Sequence, residues 1–167
     1  MSIHLHLRAV ASAEMQDDHT WLAAFMAEAW ENHADEYAAG VADSINKVFD
    51  SVADLYAAAG PLATGTEVGQ PWALPIYGGR PVPHTADADP ADPPLMILEP
   101  PQVSAAAEFL AAVSFGELWN AAGFGVGGRM GEEEQVRQEF LEYHRDLRGF
   151  YGRAAAAGHA VVKAVWA

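Results

Sequence analysis

The sequence predicts an α+β fold: a small mixed or antiparallel sheet that includes both chain termini, packed against several helices, with a proline-rich extended segment in the middle. Three observations carry this reading. All ten prolines fall between Pro61 and Pro101. Because proline removes a backbone donor and disfavours helix at the residue before it, long helices are confined to the flanks. Both flanks carry apolar residues at helical spacing, and the chain opens and closes in short runs of strand character. Neither terminal run can leave its backbone groups unpaired, which places both in one sheet with the long helices on one face.

The elements follow in order. Ser2 to Val10 alternates as a half-buried strand, with Ile3, Leu5 and Leu7 inward and His4, His6 and Arg8 sharing the other face. From about Asp17 to Ala39, Leu22, Met26, Ala29, Trp30, His33 and Tyr37 line one side of a helix, with Glu28, Glu31 and Asp35 opposite. Gly40 breaks it, and helicity resumes almost at once. Ile45, Val48, Phe49, Val52, Leu55 and Tyr56 form a second apolar stripe that Gly60-Pro61 stops, with Lys47 projecting away from it.

Within the proline segment, Trp72 to Tyr77 and Leu95 to Glu99 read as strands, Gly78-Gly79 as a turn, and His84 to Pro94 as an exposed loop. Pro101 belongs to the first turn of a helix carrying Val103, Ala106, Phe109, Leu110 and Val113. Ser114 and Glu117 have capping-box spacing and start a short helix to Ala122. Glu132, Glu133 and Glu134 mark the positive end of a long helix whose buried stripe is Val136, Phe140, Tyr143, Leu147, Phe150, Tyr151 and Ala154. Gly158 ends it, and Ala160 to Trp166 is the last strand.

Residues 1–167 are expected to form one domain. Each flank of the proline segment is roughly 60 residues, a size that buries only about 60% of its unfolded surface, so a shared core is the better solution. The proline segment is then draped over that domain rather than linking two halves.

Composition excludes several functions. The chain has no cysteine, which removes disulfides, thiolate metal sites and a cysteine nucleophile. No basic start precedes an apolar run at the N-terminus, and no uncharged stretch approaches the roughly 18 residues of a membrane span, so a cytoplasmic protein is expected. Net charge is −14, with no Lys or Arg between Arg8 and Lys47. Nucleic acid needs a basic stripe and is excluded as a partner, as is the membrane. A basic protein is the partner such an acidic stretch would suit.

The motifs name no chemistry. Gly123-Phe-Gly-Val-Gly-Gly128 matches a dinucleotide fingerprint by letter, but a helix precedes it and glutamates occupy the following helix start, so it reads as an interhelical loop. His4 and His6 could present two imidazoles to one metal, with His144 or a carboxylate as a third ligand; the plainer reading is a solvated or loop-covered strand face. His33, on an apolar helix face, reads as a hydrogen-bonded core histidine. Glu28, Glu31 and Asp35 lie on the polar face, where nothing shifts their pKa toward acid-base work. Trp72 anchors the proline segment or lines a cleft. No catalytic residue and no cofactor are assigned.

The order of several short pieces resembles the YfbM-like family of bacterial proteins, a group of unknown function. These are Met1-Ser-Ile, Ile45-Asn-Lys-Val-Phe49, Gly78-Gly-Arg-Pro-Val82, Leu98-Glu-Pro-Pro-Gln-Val103, Phe109-Leu-Ala-Ala-Val-Ser114, the acidic start of the last helix, and Ala157-Gly-His-Ala-Val-Val162. The resemblance implies a compact α+β domain over nearly the whole chain and a cytoplasmic bacterial protein, with no activity to carry over. Family members usually read Ile-Asp-Lys-x-Trp near Ile45, followed by a His-bearing helix. Here Asn46 replaces the acid, Phe49 the tryptophan, and Tyr56 stands where the histidine is expected.

The resulting expectation is a non-catalytic protein-interaction module with an acidic surface, binding through Glu28, Glu31 and Asp35 or through the proline-rich segment. The alternative is a small-ligand- or metal-binding protein or enzyme, with a cleft between that segment and the helices using Lys47, Trp72 and His144.

Overall fold

The computed structural model describes residues 3–60, 70–123 and 132–166. Its sheet has five strands in the order β2-β1-β5-β4-β3, every neighbouring pair antiparallel. These are β1 (His4–Val10), β2 (Ala42–Asn46), β3 (Arg80–Pro81), β4 (Met96–Leu98) and β5 (Ala160–Trp166). The first and last strands pair along their length, His4 opposite Trp166 and Val10 opposite Ala160, so both ends of the chain meet at the sheet's centre.

The helices are α1 (His19–Glu31), α2 (His33–Ala39), α3 (Phe49–Ala57), α4 (Pro100–Ala112), α5 (Phe115–Leu118) and α6 (Glu133–Ala156), with a π-helical turn over Trp119–Gly123. The start of α5 is capped as the sequence indicates, while α2, α3 and α6 begin without a side-chain cap. Ser114 accepts from the Glu117 amide, and Asp18 accepts from the Trp21 amide at 2.9 Å. At α4, Glu99 and Gln102 form a reciprocal capping box before the prolines of the first turn. Gly158 follows α6 in the left-handed conformation.

Three expectations are corrected. The helices cover both faces of the sheet, not one. Leu5, Leu7, Ile45 and Val161 meet α3, α4 and α6, while Val10, Val162 and Ala164 on the other face are apolar too and are covered by Leu22 and Met26 of α1. The single helix expected from Asp17 to Ala39 is two, because the Asn32 amide side chain bonds the Glu28 carbonyl at 3.0 Å and ends α1 there. Beyond Gly40 the chain forms β2 rather than resuming a helix, and α3 starts only at Phe49.

The stretch from Trp72 to Tyr77 is a run of turns, not a strand. Lys163, on the core face of β5 and 1% exposed, donates from Nζ to the carbonyls of Leu74, Ile76 and Gly78. Alternate carbonyls of an extended strand lie about 7 Å apart and could not converge on one ammonium. Tyr151 adds a hydrogen bond from its hydroxyl to the Pro75 carbonyl at 2.9 Å. The segment therefore lies against the core, and β3 and β4 are its contribution to the sheet. His84 to Pro94 runs over the surface as expected.

Candidate functional site

The β1–β2 register places Asp43 directly opposite Leu7 and Ile45 opposite Leu5, so Asp43 stands on the core-facing side of an edge strand. Its neighbours come from two helices. Tyr37 approaches from α2, and Arg145, Asp146, Gly149 and Arg153 from α6. Together with Ala42, Asp43 and Ser44 they line an open cavity of about 360 Å³.

Local sequence positions each of these groups. Gly40 leaves α2 with φ 73°, a left-handed turn that glycine adopts without strain, and carries the chain into β2. The Gly40 carbonyl accepts from Arg153 Nε at 3.0 Å, which ties α6 to the α2–β2 turn. Asp43 Oδ1 accepts from the Ser44 amide at 2.8 Å. Its second oxygen, Oδ2, is buried without a hydrogen-bond partner.

Electrostatics follow from burial. The Asp43 carboxyl is pushed up to about 7, by loss of water first and by Asp146 second, against the opposing pull of the Ser44 amide and Arg153. Burial likewise raises the Tyr37 phenol, offset by the Ser44 side chain. Arg145 and Arg153 enter no ion pair among the described residues, although acidic residues outnumber Lys and Arg by 23 to 9. Near neutral pH and below, the cavity therefore presents donors: two guanidinium groups, a phenol, the Ser44 hydroxyl and a carboxylic acid.

The residues singled out from sequence fall elsewhere, and apart. His6 is fully buried under α1 and α2, edge-on to Trp30 and Tyr37 with ring centroids 5.8 Å away in both cases. Neither ring nitrogen has a partner, and burial, then Arg8, His33 and His4, lowers it to about 4. His4 packs beside it against Trp30. The face expected to be solvated or loop-covered is thus roofed by helices, and no cluster of three or more metal-ligating side chains occurs among the described residues. His33 is exposed rather than a core histidine, its Nδ1 2.7 Å from the Trp30 carbonyl oxygen.

Glu28 pairs with Arg8 at 3.4 Å, and Arg8 also bonds Glu36 and the Phe25 carbonyl and lies 4.0 Å from the centre of the Phe25 ring. Glu31 and Asp35 are exposed, on opposite sides of the Asn32 break. His144 is buried, its Nδ1 3.1 Å from the Tyr56 hydroxyl, and is lowered by burial and by Arg148. Trp72 is half-buried against the core. Lys47 is exposed and, with Asn46, Val48 and Glu139, lines a separate hollow of about 350 Å³ whose described walls include neither Trp72 nor His144. Beyond Gly123, the fingerprint run lies outside the described residues.

Residues 1–163 match the model of a family described as Domain of unknown function (DUF1877). The chain belongs to this family. The resemblance to YfbM-like proteins points the same way: the crystal structure of a protein of unknown function, YfbM from Escherichia coli, is similar over 98% of this chain and 99% of that one. The TM-score is 0.60 at 13% identity, so what the two share is the DUF1877 fold. No curated protein matches the chain. No helix among the described residues is long and apolar enough to cross a membrane.

Proposed function

We propose that the protein is a non-catalytic binding protein whose ligand is a small molecule bearing an anionic group, held in the cavity between β2, α2 and α6. One observation carries this reading: two guanidinium groups without carboxylate partners among the described residues face the same cavity in a chain of net charge −14. Charge-assisted hydrogen bonds from arginine to a carboxylate or phosphate are about twice as strong as neutral ones, and arginine presents them in a fixed fork. Asp146, on the same wall, offers an acceptor to a hydroxyl or ammonium elsewhere on the ligand.

The test is ligand-detected NMR with a panel of small carboxylates and phosphate esters, on the wild-type protein and on Arg145→Gln, which removes no ion pair among the described residues. The expected result is binding of at least one member, weakened about tenfold or more in the variant, the scale of one lost charge-assisted contact. Binding by none, or binding indifferent to Arg145, would sink the reading.

A second reading is docking of a basic protein on the α1–α2 surface, favoured by Glu31 and Asp35, which stand exposed and enter no ion pair among the described residues. Its test is whether a partner captured from the native host is lost when Glu28, Glu31 and Asp35 are neutralised together.

A further inference from the structure

We infer that Asp43 serves the cavity as a neutral carboxylic acid that donates its proton to the ligand's anionic group, so that the site takes up an anion and a proton together. The inference rests on the reading of the cavity as an anion site. It is carried by the geometry of one carboxyl. Oδ1 is occupied as an acceptor by the Ser44 amide at 2.8 Å, which leaves Oδ2 as the oxygen that carries the proton. Oδ2 is buried without a partner on a residue that lines the cavity, and Tyr37, which lines it too, has its hydroxyl beside the Ser44 side chain. An ionised Asp43 would instead place a carboxylate against the ligand's own negative charge.

The surroundings of Asp43 favour the protonated form. From α6 it faces Asp146, Arg145, Arg153, Tyr143 and Tyr151; from α3, Tyr56; from α2, Tyr37; from β1, Leu7. Of the charged groups, Arg153 pulls the carboxyl toward ionisation, Asp146 pushes against it, and burial decides the balance. The acid gives up its proton near pH 7, so protonation of this one group changes occupancy of the site across the neutral range.

Trifluoroacetate and methanesulfonate stay ionised from weakly acidic to basic pH and therefore report on the protein alone. Their affinity would be measured at pH 5.5 and 8.5, by ¹⁹F and ¹H NMR, for wild type and Asp43→Asn. Asparagine keeps the Ser44 acceptor and cannot titrate. The expected ratio of affinities is about thirtyfold in favour of the lower pH for wild type, and about one for the variant. A wild-type ratio near one overturns the role of Asp43 while leaving the cavity an anion site. A ratio that persists in Asp43→Asn also overturns it, because it assigns the effect to histidines. If neither probe binds at either pH, the anion-site reading falls and this inference with it. The ¹³C shift of the Asp43 carboxyl in the free protein is an independent check: an ionised carboxyl at pH 5.5 refutes the proposal without any ligand.

Discussion

Lys163 Nζ donates to the carbonyl oxygen of Ile76 at 2.9 Å, from a position on β5 directly opposite Leu7 of β1. With the Leu74 and Gly78 carbonyls also taken, the ammonium spends its three protons on one turn of the proline-rich segment. Burial lowers its pKa well below the ordinary lysine value, and the three acceptors are what make a buried ammonium tolerable. Lys163→Met is expected to cost about 1–3 kcal/mol, since three carbonyls lose their donor while the desolvated charge disappears as well. Urea denaturation gives the cost, and hydrogen exchange should show the amides of Ala73 and Gly78 losing protection first. Unchanged exchange there would refute the idea that this ammonium holds the segment down.

A proline segment held in this way should not behave as a linker. One cooperative unfolding transition is expected, with tryptophan fluorescence and circular dichroism coincident. Limited proteolysis should begin between His84 and Pro94, where most side chains are exposed. Two resolved transitions, or first cleavage within the 71–78 turn, would contradict the reading of residues 1–167 as one domain.

His6 and Asp43 make opposing demands on pH. The folded protein holds His6 neutral down to about 4 against an ordinary 6.5, so this residue costs stability as pH falls from 6.5 to 4. It holds Asp43 protonated up to about 7 against an ordinary 3.8, so that residue costs stability as pH rises from 3.8 to 7. Between about 4 and 6.5 the two slopes oppose, each at most about 1.4 kcal/mol per pH unit. Relative to wild type, His6→Phe should therefore lose stability as pH climbs through this window, and Asp43→Asn should gain it at a similar rate. Urea denaturation across a pH series measures both. Variant curves running parallel to wild type would show that neither group is held in the wrong protonation state.

Most elements were legible because their signals are local: the alternation of β1 and β5, the stripe of α6, the prolines opening α4 and the glycine closing α6. The strand β2 was not, and the reason is the site itself. A strand shows through alternation, and the core-facing position between Val41 and Ile45 is Asp43, whose polarity erases the pattern. The residue that hides the strand is the one that makes its edge a polar cavity. Tyr37, Arg145 and Arg153 stayed hidden for another reason. Tyr37 reads as one more member of an apolar stripe, and the arginines as a solvated helix face, until the fold brings α2 and α6 to the same strand. One clue was present in the composition: α6 carries Arg137, Arg145, Arg148 and Arg153, four of the nine Lys and Arg in the chain. The Asn32 break was masked by an apolar stripe that continues across it.

Gly40 offers a test that joins fold to site. Its φ of 73° strains any residue with a Cβ, and a Cβ there would also run into the Arg153 guanidinium. Gly40→Ala is expected to destabilise the protein by about 1–2 kcal/mol from backbone strain alone, and to push Arg153 off the Gly40 carbonyl that now orients it. Anion binding in the cavity should weaken along with stability, although the added methyl group would touch no ligand. Arg153→Met separates the two effects, because in that background the side-chain collision is gone and only strain is left. A double-mutant cycle should therefore show coupling between positions 40 and 153 of roughly 0.5 kcal/mol or more. Additive effects, with anion affinity untouched in Gly40→Ala, would show that the α2–β2 turn does not position Arg153 for binding.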